Sequence, residues 1–406
     1  MDFDLPADDD PRRLAVRAWL SANPKPTGRQ LAEAGYVAPH WPVPYGLGAD
    51  PEHQLIIDEE LRRAEIRRPS NAIGIGWGGP TILYGGTEAQ KQRFLPGILS
   101  GEEFYCQLFS EPDAGSDLAS LGTRAVRDGD DYIVNGSKIW TSGGHHATFG
   151  ILIARTNPDV SKHRGVTYFV LPMNLAGVTM TPIIDMTTAH SFNQVFFDDV
   201  RLPVEYRIGE EGDGWRLAKV TLGNERVSLS GAGSLWGTGP SAYDLLELVR
   251  KAGGVTDPVM RDRLAALYIE AETLRLMRLR TLTSTLRGRE PGAEASVQKL
   301  LADEHGQHVM EMAKEFVGAH GMLAGSGPGG ALPVSAGGTP TEVNFAKGLY
   351  PDVEPVWHYG YLFAPALTIG GGTWAVQRNI VAERALGLPH DIDVEKGKSW
   401  AENRRA

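Results

Sequence analysis

The sequence predicts an α+β protein in which a helical domain, a β domain and a second helical domain follow one another along the chain. Three observations carry this. Helical periodicity fills residues 1–104 and returns after 212, while 105–212 have strand texture. Nowhere do strands and helices alternate as in a doubly wound sheet. A chain of 406 residues is long enough for two or three packed units with a large core. The domains are therefore drawn at 1–104, 105–212 and 213–390, with a charged tail at 391–406.

In the first domain, Leu14, Val16, Trp19 and Leu20 lie in one helical segment, and Leu55, Ile56, Ile57 and Leu61 lie in another. Thr87 followed three residues later by Gln90 is a capping box that starts a helix towards Phe94 and Leu95. In the second domain, Asp128-Gly129 and Asn135-Gly136 are hairpin-type turn signals on either side of Tyr132-Ile133-Val134. Further strands are expected at 149–154, 166–171 and 194–197. In the third, helices are expected around Glu225, over 257–287 and over 294–318. Residues 322–340 are rich in Gly, Ser and Pro and read as a surface loop. A last helix begins near Thr373 and ends around Gly387-Leu388-Pro389, and the tail beyond is expected to fray. No internal repeat is present.

Composition excludes several classes. A net charge of −10 leaves no basic surplus to neutralise phosphates, so the chain is not expected to bind nucleic acid. A single cysteine, Cys106, gives neither a disulfide framework nor a Cys-rich metal site. No paired His, Asp or Glu spacing suggests a metal. Met1-Asp2-Phe3-Asp4 lacks a basic region followed by an apolar core, so no signal peptide is expected there, and no apolar run reaches spanning length. A cytoplasmic protein without a membrane span is expected.

One motif misleads. Gly74-Ile75-Gly76-Trp77-Gly78-Gly79 has the form GxGxxG, which holds a dinucleotide only between a strand and a helix. Residues 67–72 make no apolar strand and Pro80 follows directly, so tight packing of a helical turn explains the glycines better. Asp58-Glu59-Glu60 reads as a solvated helix face, Lys162-His163-Arg164 as a loop between strands, and His145 and His146 as surface or structural residues.

Three segments carry chemistry. In Phe109-Ser110-Glu111-Pro112-Asp113-Ala114-Gly115-Ser116-Asp117, Ser110 and Ser116 offer hydroxyls, and Gly115 lets a phosphate or ring edge approach the main chain. A structural turn capped by Asp117 fits equally well. In residues 135–144, Trp140 is either a core aromatic at a strand end or a wall for a planar heterocycle, with Ser142 bonding the edge. In the third, Leu222, Glu225 and Leu229 share one apolar helix face. A carboxylate there is costly to bury unless it is paired, protonated or used. Taken alone, the pattern favours a glutamate paired with a basic residue, although neighbouring Arg226 points elsewhere on the helix.

Together these segments resemble the acyl-CoA dehydrogenase family over nearly the whole chain. Residues 108–118 resemble its first signature. Residues 138–143 are similar to its Lys-x-Trp-Ile-Thr-Asn segment, with Thr141-Ser142 in place of Ile-Thr. Gln377-Arg378-Asn379-Ile380-Val381-Ala382-Glu383-Arg384 resembles its closing helix. The resemblance implies a helical N-terminal domain, a β-barrel-like middle domain and a C-terminal four-helix bundle, with FAD as cofactor. It implies Phe109 and Ser110 at the flavin ring. Gly115 and Ser116 would lie near the pyrophosphate and the thioester chain, so Ser116 would also contact substrate. Trp140, Thr141 and Ser142 would lie beside the isoalloxazine. Gly372 and Thr373 match the Gly-Thr that closes the site. Residues 315–319, including Glu315, Gly318 and Ala319, match the stretch that receives the adenosine half of a neighbouring subunit's FAD, which implies a dimer-based tetramer.

The departures matter as much. Many members carry the catalytic glutamate just before that Gly-Thr, where this chain has Gly371. Isovaleryl- and long-chain-type members, and some steroid-type members from actinobacteria, carry it instead on a helix of the C-terminal domain. Their Glu-Arg step is similar to Glu225-Arg226 in Gly223-Asn224-Glu225-Arg226-Val227. The resemblance therefore implies Glu225 as the base, with the Gly371 N–H donating to the thioester carbonyl. The family's Arg-x-x-Phe-Gly segment is absent from residues 248–258, and Trp374-Ala375 replaces the usual pair after the Gly-Thr. Steroid-type relatives assemble from two unlike chains, so both a homotetramer and an α2β2 assembly are open. The implied reaction is α,β-dehydrogenation of an acyl-CoA to the trans-2-enoyl-CoA, with electrons passed to an electron-transfer flavoprotein. An oxygen-using oxidase and a non-catalytic partner subunit are the alternatives.

Overall fold

A computed structural model describes residues 6–187, 189–229, 234–236, 239–286, 292, 294–316, 318 and 355–404. The expected surface loop at 322–340 lies outside the described residues.

The N-terminal domain is helical. Helix α1 (Pro11–Ala22) opens with Asp10 accepting from the Arg12 N–H and with Pro11 in its first turn, a position that needs no hydrogen-bond donor. Helix α2 (Gly28–Glu33) carries a capping box between Thr27 and Gln30. Helix α3 (Pro51–Arg63) repeats the Asp-Pro entry with Asp50. The acidic run on α3 is not the solvated face expected from the sequence. Glu60 is buried and accepts from Arg13 at 2.6 Å and Arg17 at 2.8 Å, both on α1. The apolar stripe of α1 brings those arginines across, and the carboxylate follows them inside. The glycine motif forms a π-helical turn (Gly74–Gly78) with no strand before it, running straight into the next helix. A methyl on Gly79 would stand 2.2 Å from the Trp41 ring, which explains the glycine by close packing. Helix α4 (Gly79–Gly85) follows. Helix α5 (Glu88–Ser100) starts at the Thr87–Gln90 box and stops at Gly101 in left-handed conformation.

Among the described residues, eight strands form one sheet: β1 (Tyr105–Leu108), β2 (Arg124–Asp128), β3 (Asp131–Lys138), β4 (Phe149–Arg155), β5 (Val166–Pro172), β6 (Val178–Ile184), β7 (His190–Pro203) and β8 (Arg207–Ile208). The order is β6-β7-β3-β2-β4-β5-β8, with β1 parallel to β4. Strands β4 and β5 are buried along their whole length because alternate residues serve two cores. Ile151, Ile153, Tyr168 and Val170 pack towards the N-terminal helices, whereas Leu152, Ala154, Phe169 and Leu171 pack with Tyr132, Val134 and Val195. Asp128-Gly129 begins the tight β2–β3 turn, as expected. Asn135-Gly136 does not turn the chain. It makes a bulge inside β3, where Gly136 has φ +143° and a methyl would meet Thr123 at 2.6 Å.

The C-terminal region is helical: α6 (Gly214–Leu229), α7 (Ala242–Lys251), α8 (Pro258–Leu286), α9 (Glu294–Phe316), α10 (Pro355–Phe363) and α11 (Trp374–Ile380). Leu245, Leu267, Val309, Met310 and Trp357 belong to its core. Thr221 ties α6 to both other domains: its hydroxyl lies 2.7 Å from that of Thr81 on α4 and 3.0 Å from that of Tyr168 on β5.

The tail, expected to fray, returns to the β domain. The Trp400 and Ala401 N–H groups donate to Val160 and Pro158, and the Trp400 indole donates to the Ser120 carbonyl at 3.2 Å. Arg155 stacks over the Trp400 ring at 4.5 Å. A short helix, α12 (Trp400–Asn403), closes this contact.

Candidate active site

Glu225 lies one turn beyond Thr221 on α6, so the link that fastens the helix to the sheet also aims the carboxylate. It is 7% exposed. Its Oε2 accepts from Gln107 Nε2 at 3.2 Å. Strand alternation explains the partner. Cys106 and Leu108 face the core inside the sheet, which leaves Tyr105 and Gln107 on the helical side.

Gly371 faces the same carboxylate. It has φ +67°, and a methyl built on it would lie 2.6 Å from Leu229 Cδ1, 2.9 Å from Lys299 Cε and 3.7 Å from Glu225 Oε1. Only glycine fits that backbone and that gap. Gly372 follows with φ +91°. Thr373 caps α11 by accepting from Val376 N–H. Buried Gln377 donates to the Gly371 carbonyl at 3.1 Å and the Gly372 carbonyl at 3.4 Å, which fixes the loop. Behind Gly371, the buried ammonium of Lys299 donates to Asp303 and to the Leu367 carbonyl. Burial raises the Glu225 carboxyl above its ordinary value, and the Gln107 hydrogen bond and the charges of Lys299 and Arg226 only partly oppose it. Asp303 is likewise pushed up to about 6 by burial, against the pull of Lys299.

The two motif segments of the β domain are bolted together. Buried Lys138 donates to the Phe109 carbonyl at 2.9 Å and to Glu111 at 2.8 Å. Glu111 in turn accepts from the Gly122 and Thr123 N–H groups. The Ser110 carbonyl accepts from Ile139 N–H at 2.9 Å. Phe109 itself is a core ring, edge-on to Tyr168. Gly115 and Ser116 are exposed, with open space around Gly115.

Trp140 is 57% exposed with φ +61°, a left-handed conformation uncommon for a bulky residue and the kind of strain that gathers at binding sites. Thr141 is buried, and its hydroxyl has no partner among the described residues. Ser142 is half-buried. Asn193 holds this segment through backbone bonds to Thr141 in both directions and a side-chain bond to the Thr141 carbonyl at 3.1 Å. It also bridges His145 and His190, whose rings stack 4.0 Å apart, so His145 has a structural place here.

The site is thus built from β1, α6, α9 and the Gly371–Gly372 loop, and the Ser110–Ser116 segment, tied to residue 139 just before Trp140, follows β1 in the chain. Glu315 and Gly318 stand apart. Glu315 lies sixteen residues beyond Lys299 on α9, about 24 Å along the axis. It is exposed and paired with Arg263. Gly318 is exposed with φ +57°, and Ala319 lies outside the described residues. Gln107, Lys299, Asp303 and Asn193 escaped sequence reasoning. Lys299 and Asp303 left a trace: opposite charges four apart on an otherwise apolar helix face, the logic that singled out Glu225.

Among the described residues, no helix is long and apolar enough to cross a membrane, and no group of three or more His, Cys, Asp or Glu could hold a metal ion.

Known proteins share this architecture. Residues 11–102, 106–200 and 212–386 match the family models described as acyl-CoA dehydrogenase N-terminal, middle and C-terminal domains. Acyl-CoA dehydrogenase FadE34 of Mycobacterium tuberculosis is 41% identical over 93% of this chain and 48% of its own length, so the chain spans about half of that relative. Acyl-CoA dehydrogenase IpdE1 of the same organism is 36% identical over 92% of this chain and 88% of its own. The crystal structure of the ChsE4-ChsE5 complex, also from M. tuberculosis, superposes with a TM-score of 0.72 at 31% identity, covering 96% of this chain and 100% of that one.

Proposed function

The chain belongs to the acyl-CoA dehydrogenase family, and from that premise we propose that it oxidises an acyl-CoA thioester to the trans-2-enoyl-CoA with Glu225 as the base and FAD as cofactor. The observation that carries this reading is the approach of the Glu225 carboxylate to Gly371, the residue that stands just before the Gly372-Thr373 step. A buried carboxylate and a backbone donor converge there without any side chain at 371 to separate them.

The β-domain segments suit a planar heterocycle with a polar edge. Trp140 is exposed in a strained conformation, the buried Thr141 hydroxyl lacks a partner among the described residues, and Gly115 leaves open space. Ser110, Trp140, Thr141 and Ser142 would hold the ring, Gly115 and Ser116 the pyrophosphate, and Gly372 and Thr373 would close the site. When bound, FAD supplies the two-electron acceptor for the β-hydride.

The chain's own residues do the rest. The Gly371 N–H donates to the thioester carbonyl and stabilises the charge that gathers there as the α-proton leaves. Glu225 takes that proton. Its burial brings its basicity nearer to neutral pH, where a general base works best. The packed surroundings, with Leu222 on the same face, keep water away from the carboxylate. Gln107 and the Thr221 links hold it in one place.

The test is anaerobic bleaching of the purified flavoprotein by a panel of acyl-CoAs, beside Glu225→Gln. The variant should bind FAD and thioester yet fail to bleach. Bleaching at the wild-type rate would reject the base assignment. Turnover with an artificial acceptor but not with oxygen separates a dehydrogenase, served by an electron-transfer flavoprotein, from an oxidase.

A second reading concerns assembly. The relative named the ChsE4-ChsE5 complex contains two unlike chains, and here Glu315 and Gly318 lie exposed, away from Glu225. An α2β2 assembly with a partner subunit is the alternative to a homotetramer. Native mass spectrometry of the chain alone decides: a FAD-loaded tetramer supports the homotetramer, and an apo species that loads only with a second chain supports α2β2.

A further inference from the structure

We propose that the buried Lys299–Asp303 pair on α9 is a positioning pair for Glu225, holding a compensated positive charge against the carboxylate and so governing its charge state. The inference rests on the reading of Glu225 as the base.

Lys299 and Asp303 are one turn apart on the inner face of α9, with side chains 0% and 3% exposed. A buried ion pair is weak support for stability, because apolar residues of similar size do as well. The placement of this pair is what distinguishes it. The Lys299 stem passes so close to Gly371 that a methyl there would touch Cε at 2.9 Å, and Glu225 Oε1 lies 3.7 Å from the same point. The ε-carbon and the carboxylate oxygen are therefore no farther apart than those two distances allow, and the ammonium is one bond beyond. The Lys299 charge reaches the carboxylate and pulls its carboxyl down against the effect of burial. Asp303 and the Leu367 carbonyl hold the ammonium from behind, so it cannot swing onto Glu225 and block it.

The other groups that face Glu225 do not supply the same field. Gln107 on β1 is neutral. Arg226 lies on the same helix but only half-buried, with Arg384, in the π-helical turn (Val381–Ala385) that follows α11, beyond it. Glu304 faces Asp303 from the same helix as the pair. Among the described residues, Lys299 is the cation wholly withdrawn from water that acts on this carboxylate.

The two members of the pair then act on Glu225 with opposite sign, which a scaffolding role would not do. The test is a pH titration of the Glu225 carboxyl by infrared difference spectroscopy on the folded holoenzyme, assigned by subtracting the Glu225→Gln spectrum. Lys299→Met should move the midpoint up by about one pH unit or more. Asp303→Asn should move it down, since Lys299 keeps its charge with Glu225 as its remaining counter-ion. Lys299→Arg should leave it near the wild-type position. Midpoints that shift the same way in both charge-removing variants, or that do not shift, overturn the proposal. Should Lys299→Met not fold, the Asp303→Asn shift measured against Lys299→Arg decides the sign alone. The base assignment is judged separately. If Glu225→Gln keeps turnover, that reading fails while the titration still decides the pair. If it loses turnover and the titration does not respond, only the pair fails.

Discussion

The Glu225 carboxylate approaches within 3.7 Å of the point where any side chain on residue 371 would begin. A methyl there would meet the carboxylate at ordinary contact distance, so the demand for glycine comes from the other neighbours and from the backbone. A methyl at 371 would collide with Leu229 and Lys299 and occupy a left-handed conformation. Gly371→Ala should cost about 1–3 kcal/mol of stability through strain and overpacking. Urea unfolding followed by tryptophan fluorescence measures this. Gly371→Glu should be worse still, and should not rescue Glu225→Gln, because there is no room to seat a second carboxylate.

The pH profile follows from burial. Burial raises the Glu225 carboxyl and disfavours its charged form, while Gln107, Lys299 and Arg226 pull back without cancelling it. The base works only when ionised, so kcat should fall on acidification along a limb above the ordinary glutamate range of about 4.3. Gln107→Leu removes the donor to Oε2. The limb should then move to higher pH, with KM changed less than kcat. Steady-state profiles of both proteins check the direction.

The Lys138–Glu111 pair is the bolt between the two β-domain motifs. Lys138→Met leaves a buried carboxylate without its counter-charge and should cost about 3–5 kcal/mol. Burial tends to raise the Glu111 carboxyl, but the Lys138 charge and the hydrogen bonds from Lys138, Thr123 and Gly122 outweigh it, and the group sits below its ordinary value. A depressed carboxyl stabilises the fold above its unfolded value and loses that contribution as pH falls through the folded one. Wild-type stability should therefore drop below about pH 4.3. In Glu111→Gln that part of the drop should be missing from urea midpoints taken across this range.

The returning tail makes a local prediction. Lys162 donates to Asp117 at 2.9 Å and pairs with Glu395 at 2.7 Å, and Trp400 covers Arg155 and the Ser120 carbonyl. The tail thus braces the loop just after Ser116. Trp400→Ala should speed amide exchange at residues 117–122 while β4 and β5 stay protected, with a global cost of about 1–2 kcal/mol. Hydrogen exchange read by mass spectrometry resolves the two regions.

Much of this was legible in the sequence, and the reason is that periodicity is local. The long helices α8 and α9, the Thr87 box and the buried strands β4 and β5 each declare themselves within a dozen residues. Glu225 stood out because one polar group interrupts an apolar face, although that pattern alone favoured a paired glutamate and the role of base came only from the family resemblance. What stayed hidden depends on partners far away in the chain. Asn135-Gly136 reads as a turn until β7 pairs across it and makes it a bulge. Glu60 reads as solvated until Arg13, far upstream, covers it. Gln107 is one polar residue in a short strand, and only the distant α6 gives it a role. The tail carries charge enough to look frayed, and its docking rests on one tryptophan, two backbone bonds and the Lys162–Glu395 pair.

The most direct test of Glu225 separates proton removal from hydride transfer. A 3-thia acyl-CoA is acidic at the α-carbon but carries sulfur where the hydride would leave. In D2O the FAD-loaded protein should exchange its α-protons for deuterium, read by NMR, and Glu225→Gln should slow that exchange by at least about a hundredfold. Exchange at the wild-type rate in Glu225→Gln would show that another group takes the proton.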